Sequence, residues 1–206
     1  MSDYIDYGFP DARPSHTFSY LEKPLLQLLN PNHNRCILDL GCGNGYLVNY
    51  LLQHGFNAYG TDASAEGIAI AREAHPGRFF IQDLASGELP QALQNLPIDT
   101  IISTEVIEHL YHPKGLTDFC NKVLGPNGKL IISTPYHGYL KNLSLSLLNK
   151  WDAHHGPSWH GGHIKFWSKA ALSQLLSESG FKVTHFTGCG RIPYLWKSMI
   201  IKAIKV

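Results

Sequence analysis

The sequence predicts an α/β fold built on an open, doubly wound sheet. Three observations carry that expectation. Short apolar runs alternate with helix-periodic segments over residues 36–134, Ile37-Leu38 and Ile101-Ile102 show no polar alternation, and the first run passes directly into a glycine-rich turn. Strands separated by helices pair in parallel and wind right-handed, so helices cover both sheet faces and both strand faces are apolar.

The elements follow in order. Tyr20, Leu21, Leu25, Leu28 and Leu29 recur at helical spacing, entered through Ser15 and Thr17 and ended by Asn30-Pro31, and residues 1–34 read as an N-terminal helical lid. Strands are expected at Cys36-Leu40, Ala58-Thr61, Phe79-Gln82, Ile98-Ser103 and Lys129-Thr134, with helices over 44–54, 64–74 and about 105–123. Residues 135–167 break the rhythm with Pro135, Gly138, Gly156, Pro157, Gly161 and Gly162, as an insertion over the site would. Inside it, Tyr139, Leu140, Leu143, Leu147 and Trp151 form an amphipathic helix with Lys141 and Lys150 outside. That helix could cover an apolar pocket, touch a membrane surface, or simply pack on the domain. Ser168 opens a helix to about Ser179 with Gly180 as its stop. Phe181-Thr187 and Trp196-Ile204 then read as strands whose short link requires antiparallel pairing, and Lys197, Lys202 and Lys205 mark an exposed edge.

Composition narrows the function. The 206 residues carry 17 Lys+Arg against 16 Asp+Glu, a net charge of +1, which fits one domain and disfavours a protein that coats nucleic acid. The first residues lack the pattern of a secretory signal, and no apolar run is long enough for a membrane-spanning helix. Cys36, Cys42, Cys120 and Cys189 include no CxxC pair and read as reduced thiols, so a cytoplasmic location is expected. Seven of the twelve histidines fall between His109 and His163, which marks that stretch as chemical.

The sharpest motif is Leu38-Asp39-Leu40-Gly41-Cys42-Gly43-Asn44-Gly45, a strand entering three alternate glycines and then a helix. Asp62 ends the next strand, 21 positions beyond Gly41, where a carboxylate can accept from two ribose hydroxyls. A dinucleotide would lay its pyrophosphate on this loop, and Asp39 without a compensating base would repel it, which argues against a dehydrogenase. S-adenosylmethionine carries no phosphate, and its ammonium needs acceptors such as Asp39 and the Gly41 carbonyl. The plainer alternative makes the glycines a strand-to-helix turn and Asp62 and Asp83 helix caps.

At these residues the chain resembles class I S-adenosylmethionine-dependent methyltransferases over roughly residues 35 to 135. The resemblance implies a Rossmann-like, seven-stranded sheet, mostly parallel with an antiparallel last strand. It implies that Asp39, Gly41, Cys42, Gly43 and Gly45 hold the methionine moiety, Asp62 and Ala63 the ribose, and Asp83 and Leu84 the adenine. The strand ending at Thr104-Glu105 would line the transfer site.

Glu105-Val106-Ile107-Glu108-His109 follows the fourth strand; if it opens a helix, Glu105, Glu108 and His109 share one face. Two converging carboxylates call for a cation or a proton between them, and His163 could add a ligand suited to Mg, Mn, Fe or Zn. The pattern is similar to that of ubiquinone-pathway O-methyltransferases and of small-RNA terminal 2′-O-methyltransferases. By the second resemblance Glu105, Glu108, His109 and His163 would be metal ligands. Alternatively Glu105 abuts the cofactor, Glu108 caps or pairs with Lys165, and His109 is a hydrogen-bonded pocket histidine. Without a metal, His109, His137 or His163 could act as general base. His154 and His155 lie beside Asp152 on a Gly/Pro-rich stretch, where adjacency is weak evidence for a metal site, and are set aside. Tyr136, Trp159 and Trp167 could stack on a planar acceptor.

The expected activity is O-methylation of a hydroxylated small molecule such as a quinol or phenol. Methylation of a terminal RNA ribose and a non-catalytic nucleoside-binding subunit are the alternatives. The sequence is silent on oligomeric state.

Overall fold

The computed structural model of the chain describes residues 8–158 and 162–206. Trp159, His160 and Gly161 lie outside them, as does the start of the N-terminal segment. The first half runs α1 (Phe18–Leu26), β1 (Ile37–Leu40), α2 (Tyr46–Gln53), β2 (Ala58–Asp62), α3 (Ala65–Ala74), β3 (Phe79–Ile81) and β4 (Thr100–Thr104). The second half runs α4 (Pro113–Val123), β5 (Lys129–Pro135), α5 (Tyr139–Leu147), α6 (Trp151–His155), α7 (Lys169–Glu178), β6 (Phe181–Cys189) and β7 (Ser198–Lys205).

The seven strands form one sheet in the order β3-β2-β1-β4-β5-β7-β6. All neighbours are parallel except that β7 runs antiparallel to both β5 and β6. This is the expected Rossmann-like sheet. Successive strand residues point to opposite faces, which explains the paired apolar residues. Leu38, Ile101 and Ile132 face one core with Leu116, Phe119 and Leu172, whereas Ile37, Ile102 and Ile131 face the other with Leu21, Val48 and Ile68. Strand order reverses between β1 and β4, and ligands of such sheets sit beyond the strand carboxyl ends at that crevice.

Three expectations are corrected. The helix over 105–123 is interrupted: Glu105 has a positive φ of 55°, Ile107–His109 make one 3-10 turn, and α4 begins only at Pro113. Proline drives the residue before it out of helical conformation and fits the first helical turn, so Pro113 is where the helix starts.

The final strand is no edge. β7 lies between β5 and β6, so its lysines work inside the structure. Lys202 Nζ donates to Leu28 O at 2.8 Å past the end of α1. Lys205 Nζ donates to Asn121 O and Leu124 O at 2.6 and 2.7 Å, where α4 leaves carbonyls unpaired.

The face of α5 is inverted as well. Lys141 is buried, 5% exposed, while Tyr139, Leu140, Leu143 and Leu147 face outward. The reason is polar: Lys141 Nζ donates to Lys197 O at 3.1 Å, and the Glu105 carboxyl favours its charge. The helix turns its cation to those acceptors and leaves an apolar stripe outside.

An edge lysine would change stability by less than about 0.5 kcal/mol when truncated. Because Lys205 instead satisfies two helix-end carbonyls, Lys205→Met is expected to lower the unfolding free energy by about 1–3 kcal/mol. Urea unfolding at pH 7 reads the difference, and a loss under 0.5 kcal/mol would show that the cap carries no weight.

Candidate active site

The site grows from the end of β1. Gly41 and Cys42 donate their amides to Thr61 O at 2.8 and 2.9 Å, which ties the turn to β2. Gly41 and Gly43 have φ of 84° and 53°, in the left-handed region that other residues enter only at a cost. A Cβ on Gly41 would lie 2.5 Å from Val106, and one on Gly43 2.6 Å from the Phe9 ring. Gly45 does different work: a Cβ there would strike Ala71 and Phe79 at 2.6 Å, so this glycine lets α2 approach β3 and α3 and does not face the cleft.

Above the turn lies one continuous cleft of about 2070 Å³. Every position that the resemblance places against the cofactor lines it, Gly45 excepted. Asp39 projects from the middle of β1 and is 1% exposed, and its Oδ1 has no hydrogen-bond partner. Burial, with the Asp62 charge adding to it, pushes its carboxyl up to about 8. Asp62 accepts from Gly43 N at 2.7 Å through Oδ2 and from Ser64 N at 2.8 Å through Oδ1. The cap of α3 is Ser64, which accepts from Gly67 N, so Asp62 is not spent on capping. Asp83 does cap, accepting from Ala85 N at 2.9 Å, and it also reaches the cleft. Cys42 is buried, and burial drives its thiol well up, so it packs as a neutral group.

Sequence reasoning gave a lid over residues 1–34 but not the contact that ties its start to the glycine turn. Asn44 Nδ2 donates to Asp11 O and Arg13 O at 2.7 and 2.8 Å, drawing residues 9–14 across the glycine turn and setting Phe9 on Gly43. Asn44 stands inside the glycine motif, but an amide with distant carbonyl partners leaves no local spacing signal.

At the ends of β4 and β5 the second half of the site assembles. Glu105 accepts from Ser133 Oγ at 2.8 Å and from Ser198 Oγ at 3.1 Å. Its carboxyl is pushed up to about 7 by burial, against the pull of Ser133, Ser198 and the Lys141 charge. Neither serine is visible in the sequence as a partner, because β7 joins β5 only through the sheet. Glu108 is fully buried and accepts from Thr134 Oγ1 at 3.0 Å through Oε2, while Oε1 accepts no hydrogen bond and lies 3.9 Å from His109 Nε2. Burial first and the Glu105 charge second drive its carboxyl well up.

His163 arrives from far along the chain. Ile164 and Lys165 both donate their amides to Glu108 O at 3.0 Å, and Trp167 returns to β5 through a bridge with Tyr136. No Glu108–Lys165 ion pair occurs among the described residues; the two meet only through the Lys165 amide and the Glu108 carbonyl, while the Glu108 carboxyl accepts from Thr134. Ligand atoms of Glu108, His109 and His163 come within 4.8 Å of one another, and the His109 and His163 rings meet edge-on at 5.0 Å. Glu105 is not in that group: without a continuous helix it turns to Ser133 and Ser198. Burial lowers His163 to about 4, helped by His109.

His137 sits elsewhere. It is 6% exposed and meets His154 and His155, not Glu108. Burial and Lys141 lower its imidazole to about 3, and burial lowers His154 to about 4. No helix among the described residues is long and apolar enough to cross a membrane.

Comparison with known proteins agrees with this geometry. A family model described as a methyltransferase domain matches residues 14–186. A Mycolicibacterium smegmatis protein described as "Probable S-adenosylmethionine-dependent methyltransferase" is 28% identical over 177 residues, covering 86% of this chain and 63% of that protein. The ubiquinone biosynthesis O-methyltransferase of Caulobacter sp. K31 is 33% identical over 116 residues, covering 53% and 44%. The chain therefore spans between about half and two thirds of those relatives. In fold it is similar to magnesium protoporphyrin IX methyltransferase of Synechocystis PCC 6803 solved with S-adenosylhomocysteine, with TM-score 0.66, 20% identity and coverage of 90% and 82%. A Mesorhizobium loti S-adenosylmethionine-dependent methyltransferase gives TM-score 0.67, 20% identity and coverage of 89% and 96%.

The raised Asp39 carboxyl makes a pH prediction. An unfolded aspartate titrates near 3.9, so up to about pH 8 the native state holds a proton that the unfolded chain has released. Stability therefore falls as pH rises. The lowered imidazoles act in the opposite sense, but only below the unfolded histidine value near 6.5. Between pH 7 and 8 the ligand-free protein should lose up to about 1.4 kcal/mol through Asp39. Lys141, lowered to about 8, opposes this near the top of the window and is common to both proteins compared. In Asp39→Asn the fall should be shallower by that amount in urea unfolding; parallel slopes would mean that Asp39 is already ionised at pH 7.

Proposed function

We propose that this chain, which belongs to the methyltransferase domain family, moves the methyl group of S-adenosylmethionine to an oxygen of a hydroxylated, partly apolar small molecule such as a quinol or phenol. One observation supports this reading above the others. The unpartnered Asp39 Oδ1 beneath the glycine turn opens onto the same cleft as the Glu108, His109 and His163 group.

The donor set fits the nucleoside. Asp39 Oδ1 is an acceptor with no donor, and a cationic amine would both pair with it and restore its charge. Asp62 already accepts the amides of Gly43 and Ser64, which hold its carboxylate at the cleft where a ribose would lie. On this reading Asp62 and Ala63 take the ribose, Asp83 and Leu84 the adenine, and Thr104 and Glu105 the transfer site, and all six line the cleft. When bound, S-adenosylmethionine supplies an electrophilic methyl carbon on a positively charged sulfur. The protein's task is alignment and exclusion of water. Residues 8–34, 135–158 and 162–167 serve as covers, with Phe9 on the glycine turn and Leu145, Leu148 and Ile164 giving the acceptor side apolar walls.

The acceptor hydroxyl must lose its proton. His109 Nε2 can take it, and the resulting imidazolium, 3.9 Å from Glu108 Oε1, would draw that buried carboxyl toward its charged form. The orphaned Glu108 Oε1 and the neutral His163 also fit a divalent ion, with two imidazoles and one carboxylate suiting Mn, Fe or Zn better than Mg. Such an ion would lower the hydroxyl pKa. Glu105 contributes by holding Ser133 and Ser198 and setting the charge near Lys141, outside the ligand set.

Calorimetry with S-adenosylhomocysteine tests the nucleoside half. The wild type should bind, and Asp39→Asn should bind roughly 30-fold more weakly or worse, the loss of a buried charge pair of about 2–5 kcal/mol. Absence of binding to the wild type would overturn the reading. For the acceptor half, labelled methyl transfer to catechol and hydroquinone acceptors should fall by about 100-fold or more in Glu108→Gln with nucleoside affinity unchanged. A short RNA with a free terminal diol, run in parallel, should not be methylated; preferential transfer to it would replace the small-molecule assignment.

A further inference from the structure

We propose that His137, His154 and His155 form a second metal site, which binds a zinc-class divalent transition metal through three neutral imidazoles. This site is distinct from the Glu108, His109 and His163 group and does not depend on the function proposed above.

The geometry begins with α6. Trp151–His155 form a short helix, so His154 and His155 are not on an irregular loop, and both are turned toward the end of β5. His137 follows β5 directly, and its amide donates to Trp167 O at 2.9 Å, which fixes its backbone. Ligand nitrogens of the three imidazoles lie within 4.8 Å of one another. Zinc–nitrogen bonds of 2.0–2.1 Å in a tetrahedron place nitrogens about 3.3 Å apart. Ring rotations therefore close the set without moving the backbone by more than about an ångström.

The hydrogen bonding points to a ligand. His137 Nδ1 lies 3.4 Å from Asn142 Oδ1, an acceptor that selects the Nδ1–H tautomer and leaves a lone pair on Nε2. That Nε2 is buried and has no partner, on a residue that is 6% exposed. Both ring nitrogens of His155 are likewise buried without partners. One of them must carry a lone pair, and a buried acceptor without a donor is costly. Three imidazoles with no carboxylate form a donor set that favours Zn(II) and its neighbours over Mg(II) or Ca(II). Aromatic groups pack against the rings, and after burial the nearby Lys141 charge is the next cause lowering all three imidazoles, a repulsion that a bound cation has to overcome. Trp151 stacks on His155 at 4.9 Å, and Phe166 meets His155 and His137 edge-on at 4.6 and 5.1 Å. An amide that orients one ligand is the outer-sphere arrangement typical of metal-binding histidines.

The site would also do mechanical work. The hydrogen bonds described for α6 run within α5 and α6, including Trp151 Nε1 to Ser146 Oγ at 2.9 Å. An ion shared with His137 would pin this segment to the sheet. His154 and His155 both line the cleft, so the fourth coordination position opens to it.

The test uses the full, tag-free chain and cobalt(II), whose four-coordinate complexes absorb far more strongly in the visible than the hydrated ion. The Glu108→Gln/His163→Ala variant, which keeps only the proposed site, should bind one equivalent with intense tetrahedral bands. In that background His154→Ala and His155→Ala, at partly buried positions, should each weaken cobalt binding by at least tenfold or so. Asn142→Ala should weaken it by roughly 10- to 100-fold through the lost outer-sphere bond. Circular dichroism confirms that each variant is folded, and a variant that is not folded is replaced by its glutamine counterpart. Loss of all cobalt from the Glu108→Gln/His163→Ala variant would overturn the proposal, as would an undiminished equivalent in His154→Ala/His155→Ala.

Discussion

A carboxylate is held where water does not reach. Asp39 sits in the central strand between two apolar neighbours, and one of its oxygens has no partner in the protein. Leaving such an atom buried costs free energy that the fold must offset elsewhere. The offset is local and extensive: β1 is hydrogen-bonded on both sides, and both sheet faces next to it are packed. The glycine turn is tied to β2 through Thr61 O and to Asp62 through Gly43 N, so the acid lies beneath a braced turn at the floor of the cleft.

Much of the first half was legible in the sequence because its determinants are local. Ile37-Leu38 and Ile101-Ile102 announced strands buried on both faces, and the glycines with Asp62 announced a nucleoside loop, since turn chemistry and period are written in adjacent residues. The helix expected over 105–123 failed for a reason also written there. Pro113, which fits only the first turn of a helix, sets the start of α4. Once the helix breaks, Glu105 takes a left-handed backbone, a conformation whose cost is tolerated mostly at functional sites.

The second half was illegible where partners come from distant strands. Ser198, Thr134 and Asn142 gain meaning only after β7 inserts beside β5 and the insertion folds back. Lys141 shows the same limit. Helical periodicity assigned it to solvent, but a nearby carbonyl and carboxylate drew it inward, and the leucines were left outside. Amphipathic spacing identifies a stripe; it does not say which side meets the protein.

One main-chain oxygen has an outsized role. Glu108 O accepts both Ile164 N and Lys165 N, so the turn carrying His109 and the segment carrying His163 share a backbone anchor. The spacing of those two rings is therefore inherited from peptide geometry and not from the long stretch of chain that separates them. The length of residues 138–158 is thereby uncoupled from the anchor that sets the imidazole pair, so the mouth of the cleft and the pair beneath it answer to separate parts of the chain.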